Sequence, residues 1–368
     1  MNHGEPRIRI LLLGDAGQVH LARWAGYLTA AGYRVLTASL EADDRMPGAR
    51  HRIRVPALLP SFLRYPLAVP AVRRLVRDFA PHLVNAHFLP NYGVIAALAG
   101  FSPWVLSTWG SDIMLLPERS AFHLLRTRRV IQSATFVTSD AEVMSRRLVE
   151  LGADPGRIVT FPYGVDRSLF HPGPAREEGD GPRILSNRKL EAVYDVSTVV
   201  SAFERIRDRF EAARMTVAGE GSQAARLRAQ AGASPHPESI EFIGNLPHTE
   251  MPGLLRKHDL YVSMAVSDTT SVSLLEAMAC GLLPVVSDIP ANREWIDPGR
   301  NGLLVPVGDA VALESAVAEA WSDTGLRAAA RELNASVIER RADWFDNMAA
   351  VRELFERLVA RTPGHDAA

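Results

Sequence analysis

The chain of 368 residues contains one cysteine, Cys280, and two lysines, Lys189 and Lys257. A lone thiol excludes an internal disulfide, and no Cys/His spacing suggests zinc. Cys280 therefore reads as a buried structural thiol, with a reactive one as the alternative. A membrane helix needs roughly 20 consecutive apolar residues. The longest weakly polar stretch here, Tyr92 to Leu106, is broken by Gly100, Ser102 and Pro103. Arg7 and Arg9 lead a short apolar run that ends at Gly14, which reads as a first strand and not as a signal peptide, so a cytoplasmic location is expected. Also missing is the full Gly-x-Gly-x-x-Gly fingerprint. The turn Gly14-Asp15-Ala16-Gly17 supplies only Gly-x-x-Gly, which counts against a nicotinamide dehydrogenase.

The net charge of −1 hides an asymmetry. Up to Phe170 the chain carries 20 Arg, no Lys and 13 acids, a balance of +7; the remainder has 21 bases and 29 acids, a balance of −8. A basic first half suits an anionic partner, either a lipid surface or a phosphorylated acceptor, while an ordinary solvated Arg-rich surface is the alternative. The segment Leu58 to Ala80 mixes Leu59, Phe62, Leu63, Tyr65 and Leu67 with Arg64, Arg73, Arg74 and Arg77, and Arg126, Arg128 and Arg129 add charge in the same half. Such mixing suits a segment lying on anionic lipid at the inner face of a membrane. No nucleic-acid partner is expected.

Short apolar runs alternate with stretches at helical spacing. Arg7 to Leu13 is followed by Leu21, Trp24, Ala25 and Leu28, and Tyr33 to Ser39 supplies another strand. Leu83 to Ala86, Trp104 to Ser107 and Thr135 to Thr138 continue the series, with helices expected from about Asn91, from about Arg119 and over Ala141 to Leu151. Residues 171–182 are rich in Pro, Gly and charge, a linker composition. A second series then places strands at Arg183 to Ser186, Met215 to Ala218, Ile240 to Ile243, Leu260 to Ser263 and Pro284 to Ser287. The expected class is α/β, with a Rossmann-like domain over 1–170, a second over 183–340, and a final helix in 341–362 packing back on the first.

The run Ser267-Asp-Thr-Thr-Ser-Val-Ser-Leu-Leu-Glu276-Ala-Met-Ala-Cys-Gly281, continued to Asp288, resembles the signature of glycosyltransferase family 4. Further blocks agree in order: His20 to Trp24, Asn85-Ala-His87 with Trp109-Gly-Ser-Asp112, Tyr163 to Asp166 with Phe170, and Gly219-Glu-Gly221. The resemblance implies the GT-B architecture, two doubly wound Rossmann-like domains facing a central cleft. It also implies a retaining transfer from a nucleotide-diphosphate sugar to a glycan, lipid-linked or small-molecule hydroxyl, with no cofactor and a dispensable metal. A non-catalytic binding relative and a sugar-nucleotide epimerase of the same fold are the alternatives.

Independently of the name, Ser271 to Cys280 reads as a helix whose Thr- and Ser-rich start offers free N–H groups and a positive dipole end to a diphosphate. Thr270, Ser271, Val272 and Ser273 are the candidate donors there. By resemblance, Glu276 holds the ribose and Asp268 lies near the transferred sugar, although the family has Glu where this chain has the shorter Asp. Arg188 matches the family's phosphate-binding Arg, whereas the region of its Lys partner reads Val193-Tyr194-Asp195. Lys189 is the candidate replacement, with an exposed loop lysine as the alternative. Gly14, Gly17, Gly219 and Glu220 complete the donor-side candidates. His20, Trp109 and Asp112 are the acceptor-side candidates, and His87 and Asp112 are also candidate catalytic groups; a helix cap for Asp112 and a structural role for His87 stay open.

Overall fold

The computed structural model describes residues 8–41, 46–56, 60–174 and 179–361. Arg7, Leu58, Leu59, the Phe62 side chain, residues 175–178 of the expected linker and Thr362 lie outside the described residues.

Seven strands form the first sheet: β1 (Arg9–Leu13), β2 (Arg34–Ser39), β3 (Ala49–Arg52), β4 (Leu83–His87), β5 (Trp104–Ser107), β6 (Phe136–Ser139) and β7 (Ile158–Thr160). Their order is β3-β2-β1-β4-β5-β6-β7 and every pair is parallel. The second sheet contains β8 (Arg183–Ser186), β9 (Arg214–Ala218), β10 (Ile240–Gly244), β11 (Leu260–Ser263), β12 (Leu283–Ser287) and β13 (Leu303–Val305), in the order β10-β9-β8-β11-β12-β13, again all parallel. In each sheet the order reverses beside the first strand, between β1 and β4 and between β8 and β11. Such switch points open a crevice at the carboxyl ends of the strands, where ligands bind in this class.

Both faces of the second sheet are covered, as a parallel sheet requires. Ile184, Val262 and Val285 enter one apolar cluster, while their neighbours Leu185, Tyr261 and Val286 enter the other, beneath the helix Val272–Ala279. Each fully buried aliphatic side chain contributes about 1.5–3 kcal/mol.

The units divide earlier than the linker composition suggests. Residues to Phe161, with those from Met348, form one unit, and Pro162–Asn347 form the other. The segment Tyr163 to Phe170, expected in the first domain, belongs to the second unit. There Val165 N–H donates to Ala342 O at 2.7 Å, Trp344 N–H donates to Val165 O at 3.0 Å, and Phe170 joins the second unit's core. The last helix, Trp344–Ala360, has its later turns in the first unit, where Tyr33 Oη donates to Glu356 Oε1 at 2.5 Å and Phe355 lies 6.3 Å from Trp24.

The segment read as a membrane contact folds as the helices Ser61–Leu67 and Val69–Phe79, with Arg73, Arg74 and Arg77 exposed. Arg74 pairs with Asp78 at 3.5 Å, and Arg73 Nη2 donates to Leu98 O at 2.7 Å. Among the described residues no helix is long and apolar enough to cross a membrane.

Candidate active site

The site in the second unit is assembled from the loops after β8, β9 and β11. Ser271 opens the helix Val272–Ala279 by accepting from Leu274 N at 3.3 Å, so the Ser-rich start read from sequence does cap a helix. Arg188, two residues beyond β8, reaches this start and is only 8% exposed. Its Nη1 donates to Ser271 Oγ and, at 2.9 Å, to Ser273 Oγ, while Nη2 donates to Asp268 Oδ2 at 2.5 Å. Asp268 Oδ1 accepts from Thr269 N at 3.0 Å, and Tyr261 Oη meets Ser273 Oγ at 2.9 Å. Arg188, Asp268, Ser271 and Ser273 thus form one network. Removing one partner of such a largely buried ion pair typically costs about 3–5 kcal/mol.

Two glycines make room for this arginine. Gly219 adopts φ +141°, and a Cβ there would lie 2.3 Å from Arg188 O; one at Gly221 would lie 2.4 Å from Leu190 O. The Gly219-Glu220-Gly221 turn therefore presses backbone to backbone against the Arg188 loop, locked by Leu190 N–H donating to Glu220 O at 3.1 Å. The Glu220 side chain itself is exposed and pairs with Arg228 at 3.0 Å. Lys189 is exposed, and Tyr194 holds the region of the expected lysine, its ring centroid 4.2 Å from the Arg188 guanidinium carbon.

Glu276 is 5% exposed on the helix Val272–Ala279, and His248 Nε2 donates to its Oε1 at 2.7 Å. The His248 ring rests 5.0 Å from that of Phe170. Thr270 is buried and Val272 half-buried at the same helix start.

In the first unit the candidates gather at the carboxyl ends of β1, β4 and β5. His87 ends β4 fully buried, 4.8 Å from Trp24 and 6.0 Å from Trp109 between ring centroids. Trp109 Nε1 donates to His87 Nδ1 at 3.4 Å, which puts the ring proton on Nε2, a buried atom with no partner among the described residues. Burial first, and the nearby His20 second, lower its pKa from 6.5 to about 3, so the ring is neutral. His20 stands edge-on to Trp109 at 5.9 Å.

Asp112 is 1% exposed, and its oxygens accept from Leu89 N and Trp109 N at 3.0 Å each, so it ties two preceding stretches together and does not cap the segment that follows it. Burial raises its pKa to about 6 against the lowering effect of those amides. Gly14 and Gly17 shape the turn after β1. A Cβ on Gly14 would meet Leu21 Cδ2 at 2.7 Å, and Gly17 N–H donates to Asp15 Oδ1 at 2.9 Å. Both sit in the first unit, apart in sequence from the second unit's cluster around Arg188.

With this geometry in place, the chain compares with known proteins as follows. The family described as Glycosyl transferases group 1 matches residues 170–336, and Glycosyl transferase 4-like matches residues 9–141. The chain belongs to the group 1 glycosyltransferases. Against a putative colanic acid biosynthesis glycosyltransferase, WcaL of Salmonella typhimurium, this group 1 member is 27% identical over 345 residues, 87% of this chain and 84% of that one. Against the glycogen synthase of Mycobacterium tuberculosis it is 29% identical over 261 residues, 67% of this chain and 62% of the relative, so the match spans about three fifths of that relative's length. The structure of Anabaena HepE in complex with UDP-glucose superposes with a TM-score of 0.81 at 17% identity, covering 96% of this chain and all of that one. The fold is accordingly GT-B, two Rossmann-like domains.

Two residues of this group 1 site escape a sequence reading. His248 belongs to no motif, and Tyr194 marks only a missing lysine until its ring is seen beneath Arg188. Among the described residues no group of three or more His, Cys, Asp or Glu side chains could hold a metal ion. Cys280 is buried, and burial pushes its thiol up to about 12, which suits a structural role.

Proposed function

We propose that the chain transfers a glycosyl unit from a nucleotide-diphosphate sugar to a hydroxyl acceptor, a glycan, a lipid-linked saccharide or a small metabolite, with retention at the anomeric carbon. The observation that carries this reading is the buried Arg188 guanidinium held at a helix start by Ser271, Ser273 and Asp268, with Glu276 on the same helix. A fixed cation beside a helix start stabilises charge growing on a departing diphosphate. The bond from the anomeric carbon to the diphosphate oxygen breaks, and the acceptor oxygen bonds to that carbon from the same face. The acceptor's proton passes to the departing phosphate oxygen, so no enzymic base and no divalent metal are needed. Glu276, oriented by His248, holds the ribose hydroxyls. Asp268 fixes Arg188, and by the family resemblance it takes its place near the transferred sugar. The UDP-glucose bound by HepE supports a nucleotide-sugar donor.

A thermal-shift screen of the full chain against UDP-, GDP- and dTDP-sugars, with and without EDTA, identifies the donor, because a ligand of the folded state raises the midpoint. Turnover with that donor is followed by NMR of the anomeric proton. Arg188→Ala is expected to lower kcat by about 100-fold or more, as for removal of a preorganised charge. No shift with any donor, an inverted product, or a loss under threefold for Arg188→Ala refutes the assignment.

A further inference from the structure

Two cavities of the first unit meet at one arginine. The first, about 330 Å³, is lined by Tyr65, Asn91, Ser111, Arg119, His123 and Arg126 among others. The second, about 340 Å³, is walled by Val94, Ala97, Leu98, Phe122 and Leu125, again with Arg126. Polar and apolar groups line the first in similar measure, with Arg119, His123 and Arg126 among them, whereas the second is mostly apolar apart from Arg126, Arg129 and Ser133. Large side chains of the apolar wall are uncovered: Leu98 and Leu125 are each 48% exposed and Phe122 is 68% exposed. Adjacent exposed apolar side chains rimmed by charge mark a binding surface.

Among the described residues the cations there are not neutralised: no carboxylate pairs with Arg119, Arg126 or Arg129, whereas the nearby Glu118 is taken by Arg147. Arg126 stacks over the Phe122 ring at 5.6 Å, and its Nε is buried without a partner among the described residues. Burial lowers the Arg126 pKa, the signature of a desolvated cation. The one acid in the first cavity, Asp112, has both oxygens turned onto the amides of Leu89 and Trp109. His123 is tied to Ser120 at 2.7 Å at the start of the helix Ala121–Ser133, which sets its ring beside Arg119 and Arg126 in the lining.

We propose that these joined cavities bind a single-chain lipid phosphate, its phosphate against Arg126, Arg119 and His123 and its hydrocarbon chain along Leu98, Phe122 and Leu125. A free anion would leave the apolar wall bare, and a neutral amphiphile would leave Arg126 unpaired; a molecule carrying both groups side by side satisfies both cavities through the arginine they share. Guanidinium forks suit phosphate oxygens, and hydrogen bonds to charged groups are the stronger ones. Calling this lipid the acceptor rests on the proposed transferase reading, but its binding does not.

The test is calorimetric titration of the full chain, without donor, with decyl phosphate below its micelle concentration, and in parallel with decyl maltoside and with inorganic phosphate. Decyl phosphate is expected to bind about tenfold or more tighter than either control. Arg126→Gln and, separately, the exposed Arg119→Gln are expected to weaken decyl phosphate by about tenfold, and Leu98→Ser with Leu125→Ser to weaken it without changing phosphate binding. Equal binding of decyl maltoside, undiminished by Arg126→Gln and Arg119→Gln, reduces the surface to a general apolar patch and overturns the proposal; so does phosphate binding equal to decyl phosphate, or no binding of any probe. The donor thermal shift, run on the same variants, shows that they are folded. Its failure in the unaltered chain would strike the transferase reading and leave the lipid result standing.

Discussion

Tyr194 lies under Arg188, with the guanidinium carbon 4.2 Å from the ring centroid while the same side chain holds Asp268 at 2.5 Å. Where the resemblance expects a second cation, this chain places an aromatic face that orients the first. A partly desolvated cation–π contact contributes about 0.5–2 kcal/mol. Tyr194→Phe keeps the face and is expected to leave donor affinity within about threefold, whereas Tyr194→Ala is expected to weaken it by about fivefold. Titration with the donor found in the screen checks both, and equal affinities for the two variants would show that the stacking contributes nothing.

Glu276 and His248 form a pair 28 residues apart in sequence at 2.7 Å. If the carboxylate holds ribose and the imidazole orients it, Glu276→Gln should lower donor affinity by about tenfold, the value of one charge-assisted hydrogen bond. His248→Ala should lower it less, because water can replace the lost partner. Both variants should unfold within a few degrees of the unaltered protein. A Glu276→Gln protein with full donor affinity would move the ribose elsewhere.

Gly219 tests whether the loop after β9 acts through backbone contact. At φ +141°, with Arg188 O only 2.3 Å from a new methyl, Gly219→Ala must displace the Arg188 loop or stay strained. The expected result is a stability loss of about 2 kcal/mol or more by urea unfolding, together with a fall in kcat. By contrast Glu220→Ala removes only the exposed pair with Arg228 and should cost less than about 1 kcal/mol. Comparable losses for the two would mean that the carboxylate, not the close approach, matters here.

Most of the strands legible in the sequence are largely buried, although the edge strand β10, with one buried residue of five, was legible as well. β5, β8 and β11 have at least three buried residues of four, and their bounds match the expected ones. β3 was not legible: Ala49-Arg50-His51-Arg52 is exposed throughout, and its pairing with β2 is a matter of backbone register that no side-chain pattern records. The three-residue β13 is too short for a period to show. Ser271 and Ser273 are legible because a helix start is a local pattern, whereas Arg188, Asp268 and Glu276 are legible only through the motifs of the family resemblance. His248 and Tyr194 gain their roles only through packing across the fold. Asp112 shows the intermediate case, since its bond to Trp109 N spans three residues and is local, while its bond to Leu89 N spans 23 and is not.

The buried pair of opposite pKa shifts in the first unit makes a prediction about pH. His87 titrates near 3 in the folded chain and at 6.5 when free, so between those values the unfolded chain binds a proton that the folded one refuses, and stability falls as the pH falls. Asp112 works in the other direction. With its pKa raised from 3.8 to about 6, the folded chain keeps a proton that the unfolded one has lost, and the stability this gives is present at low pH and disappears as the pH rises through 6. Between pH 7 and 5 the two effects largely cancel in the unaltered protein. His87→Phe removes the first and leaves the second. Relative to the unaltered protein, the variant should therefore gain about 2 kcal/mol on acidification from pH 7 to 5, one and a half pH steps below the free histidine value. Urea unfolding of both proteins at the two pH values measures this double difference, and a value near zero would mean that His87 takes up a proton within the folded protein and is not the neutral core ring its surroundings require.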